Sequence, residues 1–312
     1  MVEHVDIREV GLRDGLQNIA TPMATGAKLD WIRAEAAAGV REIEVCSFVP
    51  PKLLPQFADA QQVVRGALAI ENLRVSALVP NLKGAERGAE AGVHQLNCVL
   101  SVSESHNQSN LRRSTADSVT DLKRIAAFLE SLPADRRPRL ACGLATSFGC
   151  SIEGPVPQVR VVALAGEVAA AGVDEIVLAD TVGYGDPRAV RSLFALVTAE
   201  VGGVPVAAHF HDTRGLGVAN VAAALDTGVR AFDASLCGLG GCPYAPGATG
   251  NVVTEDIVFL CEAMGFDTGI DIEALIETRK ILKAGLPGEA LLGQVARAGL
   301  PKKFSYAARQ AA

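Results

Sequence analysis

The segment AGVREIEV, residues 38–45, closes a helical pattern on a glycine and turns directly into a short apolar run. The pattern returns as AGVHQLNC at 91–98, AGVDEIVL at 171–178 and TGVRAFDA at 227–234. A glycine just past the last helical residue is a common left-handed stop, and a short apolar run behind it reads as a buried strand. The four starts lie 53, 80 and 56 residues apart. Each interval has room for about two βα units, so the repeat marks every second strand.

The intervening strands fall where this spacing puts them: VDIREVGL (5–12), RVSALV (74–79), RLACGLATSF (139–148) and PVAAHFHD (205–212). Ala-rich amphipathic stretches such as KLDWIRAEAAAG and TDLKRIAAFLESLP separate them. Eight strands alternating with eight helices predict an α/β fold, a (β/α)8 TIM barrel over about residues 5–266. A C-terminal helical extension is expected over about 270–312, around DIEALIETRKILKAG. No linker or compositional break divides the chain, which predicts a single domain over 1–312. An open doubly wound sheet is the competing architecture, but no GxGxxG opens the first helix.

Composition narrows the function classes. Apolar residues make up 49% of the 312 and charged residues 21%, as in soluble globular proteins, while aromatics are only 4%. The core must therefore come from Ala, Val, Leu and Ile, which suits buried parallel strands. A net charge of −6 with no Lys/Arg-rich stripe argues against nucleic acid as a partner. No apolar run reaches the ~18 residues of a membrane span, and MVEHVDIREV lacks a signal-peptide core, so a cytoplasmic protein without membrane contact is expected. Seven irregularly spaced cysteines make no disulfide framework. Cys46, Cys98 and Cys261 sit in apolar runs, whereas Cys242 sits among the five glycines and two prolines of GLGGCPYAPGATGN, residues 238–251.

Barrel enzymes build their sites at the C-terminal ends of the strands. Strand 1 ends in GLRDGLQN with Arg13, Asp14 and Gln17, strand 2 carries Glu44, and strand 4 runs into SVSESHN. Strand 6 ends at Asp180 and Thr181, strand 7 ends HFHD, and strand 8 opens into the glycine loop. In His209-Phe210-His211 the two imidazoles project to the same side of a strand. With Asp14 as third ligand and Asn251 as an oxygen donor they form a facial metal site suited to Mg2+ or Mn2+ rather than zinc. The competing reading is a pair of hydrogen-bonded core histidines. Arg13-Asp14 can also be an ordinary surface ion pair in a turn, and Asp180 a helix cap, although Asp186 supplies a better one.

Together these motifs resemble the hydroxymethylglutaryl-CoA lyase family, part of a wider group of metal-dependent barrel lyases, aldolases and acyl-CoA synthases. The resemblance runs through VGLRDGLQN, IEVCSFVPPKLLPQFADA, LADTVGYGDP, HFHDTRG and GLGGCPYAPGATGNVVTED. It implies that Asp14, His209, His211 and Asn251 bind a divalent cation. It further implies that Arg13, Asp180 and Cys242 take part in chemistry, with Gln17, Glu44 and Thr181 toward the substrate and Glu255 in support. The implied reaction splits a 3-hydroxyacyl-CoA thioester, 3-hydroxy-3-methylglutaryl-CoA giving acetyl-CoA and acetoacetate. Asp180 is then the expected base, Arg13 the enolate's hydrogen-bond donor and Cys242 the proton donor to the enolate carbon. A homodimer is implied as well.

Several substrate-side stretches depart from the family pattern. Arg214 and Leu216 stand where Tyr and Gln are usual, CSIEG (150–154) replaces Cys-Pro-Tyr-Glu-Gly, and His106 stands where an aromatic is common. The reaction type is thus better specified than the substrate. A relative bearing another group at C3, or a malyl-type CoA ester, is an alternative, as is a condensing synthase acting on an acyl-CoA and a 2-oxo acid. Arg214 is a candidate carboxylate contact, and Lys52 and Lys83 are candidate phosphate contacts.

Overall fold

A computed structural model describes residues 2–240 and 250–310. Eight parallel strands follow one another around a closed barrel. They are β1 (Asp6–Glu9), β2 (Glu42–Ser47), β3 (Arg74–Leu78), β4 (Gln95–Ser101), β5 (Arg139–Ala145), β6 (Glu175–Asp180), β7 (Val206–Phe210) and β8 (Ala231–Ala234), and β8 closes on β1. The chain is therefore a (β/α)8 barrel, as the repeat predicts.

The repeat has a physical cause at its glycines. Gly39, Gly92, Gly172 and Gly228 all adopt positive φ, between 82° and 107°, where a side chain would be strained. Each stops a helix and reverses the chain into the next strand. The surrounding helices are α1 (Thr25–Ala37), α2 (Ala60–Leu68), α3 (Leu82–Ala91), α4 (Glu104–Leu111), α5 (Thr115–Glu130), α6 (Gln158–Ala170), α7 (Pro187–Glu200), α8 (Gly217–Leu225) and α9 (Thr254–Ala263). At the start of α7, Asp186 accepts from the N–H groups of Arg188 and Ala189 at 2.8 and 3.1 Å, with Pro187 in the first turn.

Between the strands and these helices lies a core of small aliphatic side chains, such as Ile43, Val63, Val64, Leu178 and Val190, all essentially inaccessible. Helices α10 (Ile272–Gly285), α11 (Gln294–Ala298) and α12 (Ala307–Gln310) form the C-terminal extension. Among the described residues, no helix is long and apolar enough to cross a membrane.

Candidate active site

The loops beyond the strand ends enclose a cavity of ≈ 640 Å3 lined by Arg13, Asp14, Glu44, Thr181, His209 and His211 among others. A wide π-type turn over Gly11–Gly15 carries two of them out of β1, with the Asp14 N–H donating to the Val10 carbonyl at 2.7 Å. In β7 the alternation of a strand separates Phe210 from its neighbours. Its ring packs outward against Phe148 and Phe194, with centroids 6.0 and 6.2 Å away. His209 and His211 consequently share the inner face, their Nε2 atoms 3.1 Å apart.

Asp14 Oδ2 lies 3.7 Å from His211 Nε2 and 4.0 Å from His209 Nε2. Asn251 is delivered beside them because the chain after the glycine loop pairs with the end of β7, bridging His211 to Asn251. Its amide nitrogen donates to Asp14 Oδ2 at 2.7 Å and to the Leu239 carbonyl at 3.0 Å, while its Oδ1 is buried without a hydrogen-bond partner. Glycine is required at both ends of that loop. At Gly240 (φ 101°) a Cβ would stand 2.7 Å from the Asn251 amide, and at Gly250 (φ 99°) 2.0 Å from the Gly240 carbonyl.

Asp14, His209 and His211 form a group able to hold a metal ion. Two imidazole nitrogens about 3 Å apart match neighbouring positions around a cation held at about 2.1 Å. One carboxylate, two imidazoles and an uncommitted amide oxygen make a mixed nitrogen and oxygen donor set. The residues fit a divalent cation.

Electrostatics hold the donors in place. Burial by itself would raise the Asp14 carboxyl, but Arg13 and the two histidines outweigh it and hold it well below the usual carboxylate range. Arg13 bridges Asp14 Oδ1 at 2.7 Å and Glu44, and Gln17 donates to the same Asp14 oxygen at 2.7 Å. Glu44 also accepts from Asn97 at 2.9 Å, and burial raises its proton affinity despite the arginine. Thr181 lines the cavity and accepts from the Thr146 N–H at 2.9 Å.

Two expected groups stand elsewhere, and one lies outside the description. Asp180, the last residue of β6, lies between the inward Ala179 and Thr181, so it leaves the cavity wall. Fully buried, it accepts from the N–H groups of Tyr184 and Gly185 at 2.8 and 2.9 Å, and burial raises its pKa. Both of its oxygens are thus engaged by the turn after β6, and its carboxylate remains close enough to His211 to feel that imidazole's charge. Glu255 is also off the cavity, fully buried, paired with Arg279 and accepting from the Cys237 N–H at 3.3 Å. Burial lifts it to about 7. Cys242 lies outside the described residues.

Arg214 does not reach the cavity either. It stacks over Tyr184, 4.6 Å from the ring centroid, and donates to the Val182 carbonyl at 2.8 Å. Lys52 and Lys83 are absent from the cavity lining.

Asp233 is a residue the motifs do not point to. It is the register partner of His209 on one side and of Arg8 on the other. Its carboxylate lies 3.2 Å from His209 Nδ1 and accepts from Arg8 at 2.8 Å. Arg8 is also paired with Glu175. The only signal in the sequence was an acidic residue inside the fourth repeat's strand, where the other residues are apolar or small.

Against known proteins, the chain matches the HMGL-like family over residues 4–282. Hydroxymethylglutaryl-CoA lyase of Bacillus subtilis is 39% identical over 285 residues, spanning 91% of this chain and 94% of that protein. The (R)-citramalyl-CoA lyase of Chloroflexus aurantiacus is 39% identical over 307 residues, spanning 94% and 95%. A solved HMG-CoA lyase from Acinetobacter baumannii, in complex with coenzyme A and 3-methylmalate, superposes with a TM-score of 0.89 at 39% identity, covering 97% of each chain.

Proposed function

This chain belongs to the HMGL-like family, and from that premise we propose a divalent-metal-dependent carbon–carbon lyase that converts 3-hydroxy-3-methylglutaryl-CoA to acetyl-CoA and acetoacetate. One observation carries the reading: Asp14, His209 and His211 converge beside the Arg13–Glu44 pair in a single cavity.

Asp14, His209 and His211 would hold the cation, with Asn251 Oδ1 within the same group; when bound, it acts as a Lewis acid toward the substrate's oxygens. The remaining work falls to the chain. Burial raises the proton affinity of three cavity-lining carboxylates, Glu9, Glu42 and Glu44; Glu44 is the one that pairs with Arg13 beside the metal ligands, and we assign it the C3 hydroxyl proton. The C2–C3 electron pair then passes to C2 as C3 becomes the ketone carbon. Arg13, kept cationic by Glu44 and Asp14 in spite of burial, hydrogen-bonds the thioester oxygen as enolate charge builds. Cys242 is assigned from the sequence alone as the thiol whose proton completes C2 of the acetyl group.

A second substrate has a specific observation behind it. The citramalyl-CoA lyase is as similar as the hydroxymethylglutaryl-CoA enzyme, and citramalyl-CoA differs by one methylene between C3 and the carboxylate. The same residues would split it into acetyl-CoA and pyruvate.

Metal-stripped protein is to be given each CoA ester with and without Mg2+ or Mn2+, following acetyl-CoA, acetoacetate and pyruvate, with C242A and H209A in parallel. Metal-dependent acetoacetate release, down at least a hundredfold in C242A, is expected. Pyruvate alone selects the second substrate. Release of neither product, with metal still bound by wild type and lost in H209A, keeps the metal site and rejects both esters.

A further inference from the structure

We infer that Arg112 is the anion-binding residue of the cavity, pairing with an oxyanion carried by the CoA ester. The identity of the ester rests on the lyase reading, while the pairing rests on the charge arrangement of the cavity.

Four arginines line the cavity: Arg8, Arg13, Arg112 and Arg113. Three are already neutralised. Arg8 is held by Asp233 and Glu175, Arg13 by Asp14 and Glu44, and Arg113 by Asp121 at 2.7 Å with the Pro80 carbonyl at 3.1 Å. Arg112 is exposed, and among the described residues its guanidinium has no carboxylate or hydrogen-bond partner.

The lining carboxylates give it no partner either. Glu9 is tied to backbone N–H groups, Glu42 to Arg74 at 2.9 Å, Asp14 and Glu44 to Arg13, and Asp233 to Arg8. With every lining carboxylate and the other three arginines already engaged, Arg112 is the cavity arginine left to meet an anionic group of the ester. Arg112 lies at the rim. It stands at the end of α4 with φ 57° and ψ 33°, a left-handed position that glycine or asparagine fills with less strain. This is the segment SVSESHNQSNLRRS, where the chain departs from the family pattern.

The bound oxyanion is either the free carboxylate of the acyl group or a phosphate of coenzyme A, and two probes separate them. Titration calorimetry on the full chain with Mn2+ would measure free coenzyme A and free 3-hydroxy-3-methylglutarate against wild type, R112Q and R112K. R112Q is expected to weaken one probe about tenfold and leave the other within about twofold, with R112K keeping most of the affinity. Loss with coenzyme A identifies a phosphate, and loss with the free acid identifies the carboxylate.

Unchanged affinity for both probes overturns the inference. So does wild type that binds neither, or loss of both probes equally in R112Q and R112K, which marks general disruption. Failure of the lyase reading shows separately, as absence of turnover by wild type, while the probe affinities still decide Arg112.

Discussion

His209 can serve as a ligand only if its Nε2 lone pair faces Asp14 and His211, which requires the ring proton on Nδ1. Asp233 sets that tautomer by accepting from Nδ1 at 3.2 Å, and Arg8 holds Asp233 in turn. Replacing Asp233 with asparagine removes the charge from both contacts. We expect D233N to lower Mn2+ affinity about 10- to 100-fold by calorimetry; unchanged affinity would leave Asp233 as a partner of Arg8 alone. The two histidines, Asp14 and Asn251 were legible because H-x-H declares its own strand face and the remaining donors stand at strand ends. Asp233 was not, since its partnership with His209 depends on strand register across 24 residues. Asp180 closes β6 and Thr181 follows it, so in the extended chain the two side chains face opposite ways, and Thr181 takes the inward place.

At the scale of elements, the site stands on the junction of β1, β8 and α9. Glu9 at the end of β1 accepts from the Gly11 N–H at 2.6 Å, the Leu236 N–H at 2.9 Å and the Thr254 hydroxyl at 2.8 Å. It thereby ties the Arg13–Asp14 turn to the chain on both sides of the glycine loop. Burial raises Glu9 to about 7, against about 4.3 for an unfolded glutamate. A raised carboxyl favours the protonated fold, so its stabilisation is complete below about pH 4 and is lost as pH rises through 7. Glutamine cannot lose that proton. Glu35 is buried against Glu9 with its own carboxyl raised, so the two titrate as a pair, and between about pH 4.5 and 7 wild-type stability should fall more steeply than that of E9Q in urea titrations. Parallel curves would show Glu9 ionised throughout. The strands, helices and helix-stopping glycines of this junction followed from periodicity; the carboxylate beneath it did not, because a glutamate closing a strand looks like any exposed one.

Across the whole molecule, the C-terminal extension is fastened through buried carboxylates rather than by apolar contact alone. Asp256 of α9 accepts from the N–H groups of Gln294 and Val295 at 2.8 and 2.7 Å, and Glu262 from that of Ala307 at 2.7 Å. The Tyr306 hydroxyl accepts from the Ile272 N–H at 3.0 Å, and Phe304 packs on Phe259 with centroids 5.3 Å apart. The extension also reaches the chain after β8, where the Leu292 N–H donates to the Cys237 carbonyl at 2.9 Å. Ending the chain at residue 290 would leave Asp256 and Glu262 without these donors, and each orphaned acceptor costs about 1–3 kcal/mol. We expect the truncated protein to lose about 3–6 kcal/mol in urea denaturation once the lost packing of Phe304 is included. Among the described residues the candidate ligands Asp14, His209 and His211 have no hydrogen bond or ion pair to the extension, so Mn2+ affinity should stay within about threefold while turnover falls further, because the support behind Cys237 is gone. Full stability in the truncated chain would contradict this account, and metal affinity lost in parallel with turnover would show that the extension supports the candidate ligands as well as Cys237.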